Sequence, residues 1–171
     1  DDVSDKEILI CPPFTLLYPL KEILPRNAVL GAQDVYFEQK GAFTGEISPE
    51  MLLDVGCEYV IIGHSERRHI IKENDELINK KVLSAINSGL IAILCVGETL
   101  EQREKGLQKK IISHQLENGL IDVNKPLRIV IAYEPVWAIG TGKVATDEQA
   151  QELHKFIRDE LCRIFAQDAA R

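Results

Sequence analysis

The sequence lacks the features that would point to a membrane protein or a nucleic-acid-binding protein. No apolar run approaches the roughly 20 residues that a membrane-spanning helix needs. Acidic residues outnumber basic ones, 27 to 20, and the net charge of −7 argues against a nucleic-acid surface, which would need clustered lysine and arginine. No linker or low-complexity tract divides the chain, which is 45% hydrophobic. We therefore expect one domain over residues 1–171, with one sizeable core.

The cysteines are too few and too widely spaced for a zinc site or a disulfide framework. They stand at Cys11, Cys57, Cys95 and Cys162, without a C-x-x-C pair. Both kinds of site favour closer or paired spacings. We expect free thiols, no metal, and a reducing compartment such as the cytoplasm.

Basic residues occur in pairs, but acidic residues surround these pairs. Lys80-Lys81 and Lys109-Lys110 both lie in patterns predicted to be helical. We interpret them as parts of solvated helix faces rather than as a binding patch.

Short apolar runs alternate with longer helical patterns along the chain. The runs are continuous rather than alternating in polarity, which is typical of strands buried on both faces of a parallel sheet. Predicted strands are residues 7–11, 28–32, 59–62, 91–96 and 127–133. Predicted helices are residues 15–24, 49–55, 75–88, 99–118 and 147–165. This order gives either a barrel or a doubly wound open sheet, and periodicity does not choose between them.

Residues with known helix-end preferences support these boundaries. Ser48 before Pro49 gives an N-cap followed by proline at the first helical position. Thr146 and Gln149 have the spacing of a capping box, and Gly106 is expected to divide the helix at 99–118. Glycines expected to end helices in the left-handed conformation are Gly56, Gly89 and Gly119.

Two stretches about seventy residues apart carry the polar side chains of interest. Residues 63–68 read GHSERR and residues 132–143 read AYEPVWAIGTGK. Each follows a predicted strand, so His64 and Glu134 are expected at carboxyl strand ends, where α/β barrels and open sheets place their chemistry. Position alone leaves open that Glu134 is an ordinary surface carboxylate and that His64 is structural.

These two stretches resemble the histidine loop and the base-and-lid segment of triosephosphate isomerase. The similarity continues through residues 11–14 (CPPF), 31–34 (GAQD), 41–48 (GAFTGEIS) and 95–98 (CVGE). It implies an α/β fold of the (β/α)8 TIM barrel family, with this chain covering five of eight units, from the second strand to the sixth helix. The family's first unit, with its asparagine and lysine, and its seventh and eighth units, with the phosphate-binding glycines, are expected to lie outside the chain.

The resemblance also implies roles for individual residues. Glu134 becomes the general base and His64 the neutral electrophile in the interconversion of dihydroxyacetone phosphate and glyceraldehyde 3-phosphate through an enediolate, without metal or cofactor. A helical turn that begins at Ser65 would point N–H groups back at the imidazole. Ser65 and Glu66 are expected at the substrate, with Glu66 as a buried acid, and Gly140 is expected to offer its N–H to the phosphate.

The segment after Glu134 is expected to be a lid, and a second loop is expected to join two subunits. The resemblance implies lid hinges at Pro135, Val136, Trp137, Lys143, Val144 and Ala145. Thr44 matches the tip of a loop that reaches into a neighbouring subunit, and Arg67 is expected to support that contact, which implies a homodimer. Cys95 is expected to be a packing residue near the base.

Two other interpretations stay open at this point. A truncated, inactive fragment that serves only as a binding or assembly piece would lack the family's lysine and phosphate glycines, and its five strands would leave two sheet edges unpaired. Another phosphosugar isomerase on the same barrel is the second, although the lid sequence after Glu134 argues against it.

Overall fold

The computed structural model describes residues 6–165, in which five parallel strands alternate with helices. The strands are β1 (Ile8–Ile10), β2 (Ala28–Ala32), β3 (Cys57–Ile62), β4 (Ile91–Val96) and β5 (Ile129–Tyr133). The helices are α1 (Leu17–Lys21), α2 (Pro49–Asp54), α3 (Asp75–Ser88), α4 (Leu100–Glu104), α5 (Gln108–Gly119) and α6 (Asp147–Phe165). Within residues 6–165, no helix is both long and apolar enough to cross a bilayer.

The strand order distinguishes the two folds that periodicity left open. The strands pair in the order β1-β2-β3-β4-β5, all parallel, with no reversal. A doubly wound sheet changes direction at a switch point, whereas a barrel adds each strand beside the last. The observed order is that of five consecutive units of a (β/α)8 barrel, as predicted.

Two predicted elements begin with a 3-10 turn in the structure. The strand predicted at 127–133 begins only at Ile129, because Pro126–Arg128 forms a 3-10 turn. The helix predicted at 15–24 divides into a 3-10 turn, Phe14–Leu16, and α1.

Most of the predicted helix ends are confirmed. Ser48 accepts a hydrogen bond from the Met51 N–H at 3.3 Å. Thr146 and Gln149 exchange reciprocal bonds of 3.0 and 3.3 Å. Gly106, with φ +68°, separates α4 from α5. Gly56 and Gly89 have φ values of +86° and +111°.

The prediction for Gly119 was wrong. Gly119 is the last residue of α5, and the cap is Leu120, with φ −109°. A Cβ added at Gly119 would lie 3.0 Å from the Cδ2 atom of Leu94. Glycine there permits close packing of α5 on β4 rather than a left-handed turn.

The core lies between the sheet and its helices. Alternate strand residues face the helices, and their side chains are buried against those of α3 and α5. Each such side chain contributes about 1.5–3 kcal/mol when fully buried. The main members are Val60, Ile62, Ala92, Leu94, Ile78, Val82, Ile112 and Leu116. Strands β3 and β4 are thus held in place by the core, and so are the chain segments that leave their carboxyl ends.

Candidate functional site

His64 stands at the carboxyl end of β3, held by the helical turn that follows it. Gly63 turns the chain with φ +70°, and helical structure begins at Ser65. The Glu66 N–H donates a hydrogen bond to His64 Nδ1 at 3.3 Å. The predicted helix start is confirmed, and because Nδ1 accepts a bond, the ring proton is assigned to Nε2.

Glu134 reaches the same place from the end of β5. Its Oε1 atom lies 3.2 Å from His64 Nε2, and its Oε2 atom accepts a hydrogen bond from the Ser65 N–H at 2.9 Å. The Glu134 side chain is only 16% exposed. Two residues far apart in sequence therefore meet above the end of β4, which lies between their strands.

The backbone of Glu134 is held against the end of β4. Its N–H donates to the Val96 carbonyl at 2.8 Å, which extends the β4–β5 ladder by one residue. Cys95 is buried below the carboxylate, where burial, and next the negative charge of Glu134, raise the pKa of its thiol. Cys95 is thus an inert packing residue beside Glu134, as expected. All four cysteines are free thiols.

The chain after Glu134 is anchored at its start and exposed beyond it. Val136–Ala138 forms a 3-10 turn in which Trp137 is buried. Thr141 Oγ1 donates to the Trp137 carbonyl at 2.8 Å. Gly140 and Gly142 have φ values of +68° and +76°, which glycine adopts without strain. The predicted lid is therefore a largely exposed loop with one buried, tryptophan-anchored end.

Glu98 anchors that tryptophan, and sequence reasoning gave it no role. The fully buried carboxylate accepts a hydrogen bond from Trp137 Nε1 at 2.9 Å and one from the Tyr133 hydroxyl at 3.1 Å. Arg103 donates to it at 2.8 Å and lies over the Trp137 ring, 4.6 Å from the ring centroid. A signal was available, because Glu98 follows a buried strand closely, as Glu134 does.

A cavity of about 270 Å³ opens beside His64. Its lining combines polar and apolar side chains from the first three strand ends, namely Phe14, Gln33, Asp34, Ile61, His64, Glu66 and Arg67.

Sequence comparison assigns this arrangement to a family. A family model described as triosephosphate isomerase matches residues 1–171. The chain is 52% identical over 172 residues to the triosephosphate isomerase of Carboxydothermus hydrogenoformans, covering 99% of this chain and 68% of that protein. The chain belongs to the triosephosphate isomerase family.

Two other triosephosphate isomerases match this chain with similar identity and coverage. That of Aquifex aeolicus is 56% identical over 158 residues, or 91% of this chain and 64% of that protein. That of Endomicrobium trichonymphae is 51% identical over 172 residues, or 99% of this chain and 69% of that protein. The chain thus spans about two thirds of the length of these relatives. We use the term complete enzyme for residues 1–171 together with segments that match the remainder of these relatives.

Glu66 was expected to be a buried acid, and that expectation was wrong for the described residues. The Glu66 side chain is 70% exposed, 3.9 Å from His64 Nδ1, and the described residues leave its face of the helical turn uncovered. The buried acid near the site is Glu98. Ser65 is buried, and its N–H binds Glu134.

Thr44 lies at the exposed tip of a loop that is closed at its base. The Tyr36 N–H donates to the Ile47 carbonyl at 2.8 Å, and the rings of Tyr36 and Phe43 pack with centroids 4.9 Å apart. The loop therefore presents Thr44 from an ordered base.

Arg67 is half-buried and joins three buried charged residues, Asp34, Glu73 and Lys81, in one network. Its guanidinium lies 2.9 Å from Asp34 Oδ2 and 2.7 Å from Glu73 Oε1. Lys81 Nζ lies 2.7 Å from Asp34 Oδ1 and 2.6 Å from Glu73 Oε1. The interpretation of Lys81 as solvated was wrong, since its side chain is only 2% exposed. Lys80, Lys109 and Lys110 are exposed as expected.

The pKa values of the two acids in this network are shifted in opposite directions. Burial raises the pKa of Asp34, and the attraction of Lys81 offsets this only in part. For Glu73, burial acts in the same direction, but hydrogen bonds from Arg67 and Lys81 outweigh it and lower the pKa. The network therefore depends on both cations.

Replacing Lys81 by methionine should destabilise the complete enzyme by about 3–5 kcal/mol, because two buried carboxylates lose a shared cation. Lys80→Met is the matched control and should change stability by less than about 1 kcal/mol, since Lys80 forms an exposed pair with Glu76. The free energy of unfolding in urea, at one fixed protein concentration, measures both effects. Equal losses for the two variants would show that the network contributes nothing beyond an exposed ion pair.

Proposed function

We propose that this site interconverts dihydroxyacetone phosphate and glyceraldehyde 3-phosphate by proton transfer through an enediolate, as the triosephosphate isomerase family does. The observation that carries the proposal is the meeting of Glu134 and His64, 3.2 Å apart, at neighbouring strand ends. Moving a proton next to a carbonyl needs a base for the carbon-bound proton and a hydrogen-bond donor for the carbonyl oxygen. The site supplies one of each.

Glu134 is the base in this proposal. Its carboxylate is mostly withdrawn from water, and weaker hydration makes a carboxylate a stronger base towards a carbon acid. The Ser65 N–H and His64 hold the carboxylate in the substrate-free arrangement. A bound triose phosphate replaces the direct contact with His64, so that Oε1 faces the carbon that loses its proton.

His64 is the electrophile. With Nδ1 occupied by the Glu66 N–H, the Nε2 proton is available to the substrate oxygen as negative charge develops there. A neutral histidine beside a glutamate base is the established arrangement of this family. Ser65 and Glu66 border the substrate in this proposal. Glu66 acts through its backbone N–H, which binds His64 Nδ1, and not through a buried carboxylate.

The loop after Glu134 closes over the substrate. Gly140 turns its N–H to the phosphate, and its left-handed conformation gives the backbone freedom to do so. The hinge before the tip is Pro135, Val136 and Trp137, and the hinge after it is Lys143, Val144 and Ala145. Closure excludes water from the enediolate, which would otherwise lose its phosphate.

The complete enzyme works as a cytoplasmic homodimer of glycolysis and gluconeogenesis in this proposal. Thr44 lies at an exposed loop tip. Arg67 lines the cavity beside His64, and in the dimer the loop tip of the partner subunit enters this cavity. The four free thiols suit a reducing compartment.

Isomerisation in D2O tests the proton-transfer mechanism. Starting from dihydroxyacetone phosphate, the complete enzyme should give glyceraldehyde 3-phosphate that carries deuterium at C2, because the proton on Glu134 exchanges with solvent before it returns. Proton NMR of the product measures the deuterium at that carbon, and the uncatalysed reaction run in parallel is the control. Isomerisation without any label from solvent would contradict a single exchanging base and indicate a direct hydride shift.

A further inference from the structure

We propose that Gln115 is a positioning residue for Glu134, although it lies on α5 and touches neither substrate nor base. The inference rests on the proposed role of Glu134. Gln115 acts through the peptide of Gly97, against which the Glu134 backbone is packed.

Gln115 binds both backbone groups of one residue. Its Oε1 atom accepts a hydrogen bond from the Gly97 N–H at 2.8 Å, and its Nε2 atom donates to the Gly97 carbonyl at 3.2 Å. Gln115 is buried, and so are both of these bonds. A buried backbone group left without a partner is costly, so the side-chain amide fixes how the chain leaves β4.

Gly97 in turn supports the backbone of Glu134. A Cβ added at Gly97 would lie 1.7 Å from the Glu134 carbonyl oxygen and 2.8 Å from its carbonyl carbon. Its neighbour Val96 accepts the Glu134 N–H at 2.8 Å. The base therefore follows the end of β4 closely, and a displacement of Gly97 passes directly to the Glu134 peptide.

These contacts form a continuous connection from α5 through Gly97 to the base. Catalysis falls steeply when a reacting group moves, with about 1 Å of misplacement costing on the order of a hundredfold. Other α5 side chains that pack in the core, such as Ile112, also stabilise the fold. Gln115 differs from them in contacting the residue on which the base rests.

Gln115→Met in the complete enzyme removes both hydrogen bonds at nearly constant side-chain volume. We expect kcat per folded molecule to fall about 10- to 100-fold, with KM changed less than about threefold. The primary isotope effect with glyceraldehyde 3-phosphate deuterated at C2 should be no smaller than in the unaltered enzyme, because proton removal is the step that slows. Because kcat is expressed per folded molecule, partial unfolding alone would leave it unchanged, and a slower lid would lower kcat while reducing the isotope effect. Ile112→Val, on the same helix, is the control and should retain kcat within twofold.

Gln115→Glu provides a second, nearly isosteric test. When ionised, its carboxylate accepts the Gly97 N–H but offers no donor to the Gly97 carbonyl, so kcat should again fall at a pH high enough to ionise it. Protonation restores a donor, and burial favours the protonated form. Relative to the unaltered enzyme at each pH, the activity of this variant should therefore recover as pH falls.

If both Gln115 variants keep kcat within twofold of the unaltered enzyme, the positioning role is overturned. A Glu134→Gln variant in the same preparation separates this from the proposed function. Loss of activity in Glu134→Gln alone leaves the proposed function standing without the positioning role. Retained activity in Glu134→Gln contradicts the proposed function and, with it, the inference for Gln115.

Discussion

Glu134→Gln should lower kcat of the complete enzyme by about two to four orders of magnitude, the usual contribution of a general base. The amide keeps the shape of the side chain and its hydrogen bond to the Ser65 N–H, but it has no basicity. Glu134→Asp keeps a carboxylate and retracts it by about one bond length, for which about a hundredfold loss is expected. Initial rates of isomerisation over a range of substrate concentrations measure both effects.

The matched control for these variants is Glu101→Gln. Glu101 lies on α4, is exposed, and pairs only with Lys105 among the contacts of its side chain that the structure shows. Its kcat should stay within twofold of the unaltered enzyme, so a large loss at Glu134 alone separates base removal from a general loss of charge. Effects below tenfold for both Glu134 variants would refute its assignment as the base.

The meeting of Glu134 and His64 was predictable because it depends on order along the chain. Each residue follows a buried apolar run, and the carboxyl ends of parallel strands share one edge of the sheet. The 3.2 Å approach itself was not predictable. It depends on the helical turn at Ser65 and on the contact between Gly97 and Glu134, which join residues from different units.

Two of the wrong predictions, those for Lys81 and Glu66, concern what covers a residue. Lys81 was taken as solvated, yet it follows Ile78 by three residues and precedes Ala85 by four, which places it on the buried stripe of α3. That periodicity was a usable signal. Its partners Asp34 and Glu73 come from other segments, so the pairing that makes its burial tolerable was not visible locally. The same applies to the two acids near the site. The sequence does not show that Glu66 is exposed and Glu98 is buried, because burial depends on which segments pack over each side chain.

A polypeptide of residues 1–171 expressed alone should be almost inactive as an isomerase and should fold incompletely. Within the described residues, β1 and β5 each pair with a strand on one side only. A closed barrel has no such edges, and unpaired edges favour aggregation. Apolar side chains at both edges confirm the exposure, with Ile8 36% and Val130 45% exposed.

Chemistry leads to the same expectation. The resemblance implies that the family's lysine and phosphate-binding glycines lie outside residues 1–171, and removing one preorganised group costs about 10²–10³ in rate. Glu134 and His64 would then act on a loosely held substrate. Circular dichroism on heating and an isomerase assay, each with the complete enzyme as control, measure the two consequences. A cooperative melt, together with turnover within tenfold of the complete enzyme, would show that five units suffice to hold the base, the histidine and the substrate in place.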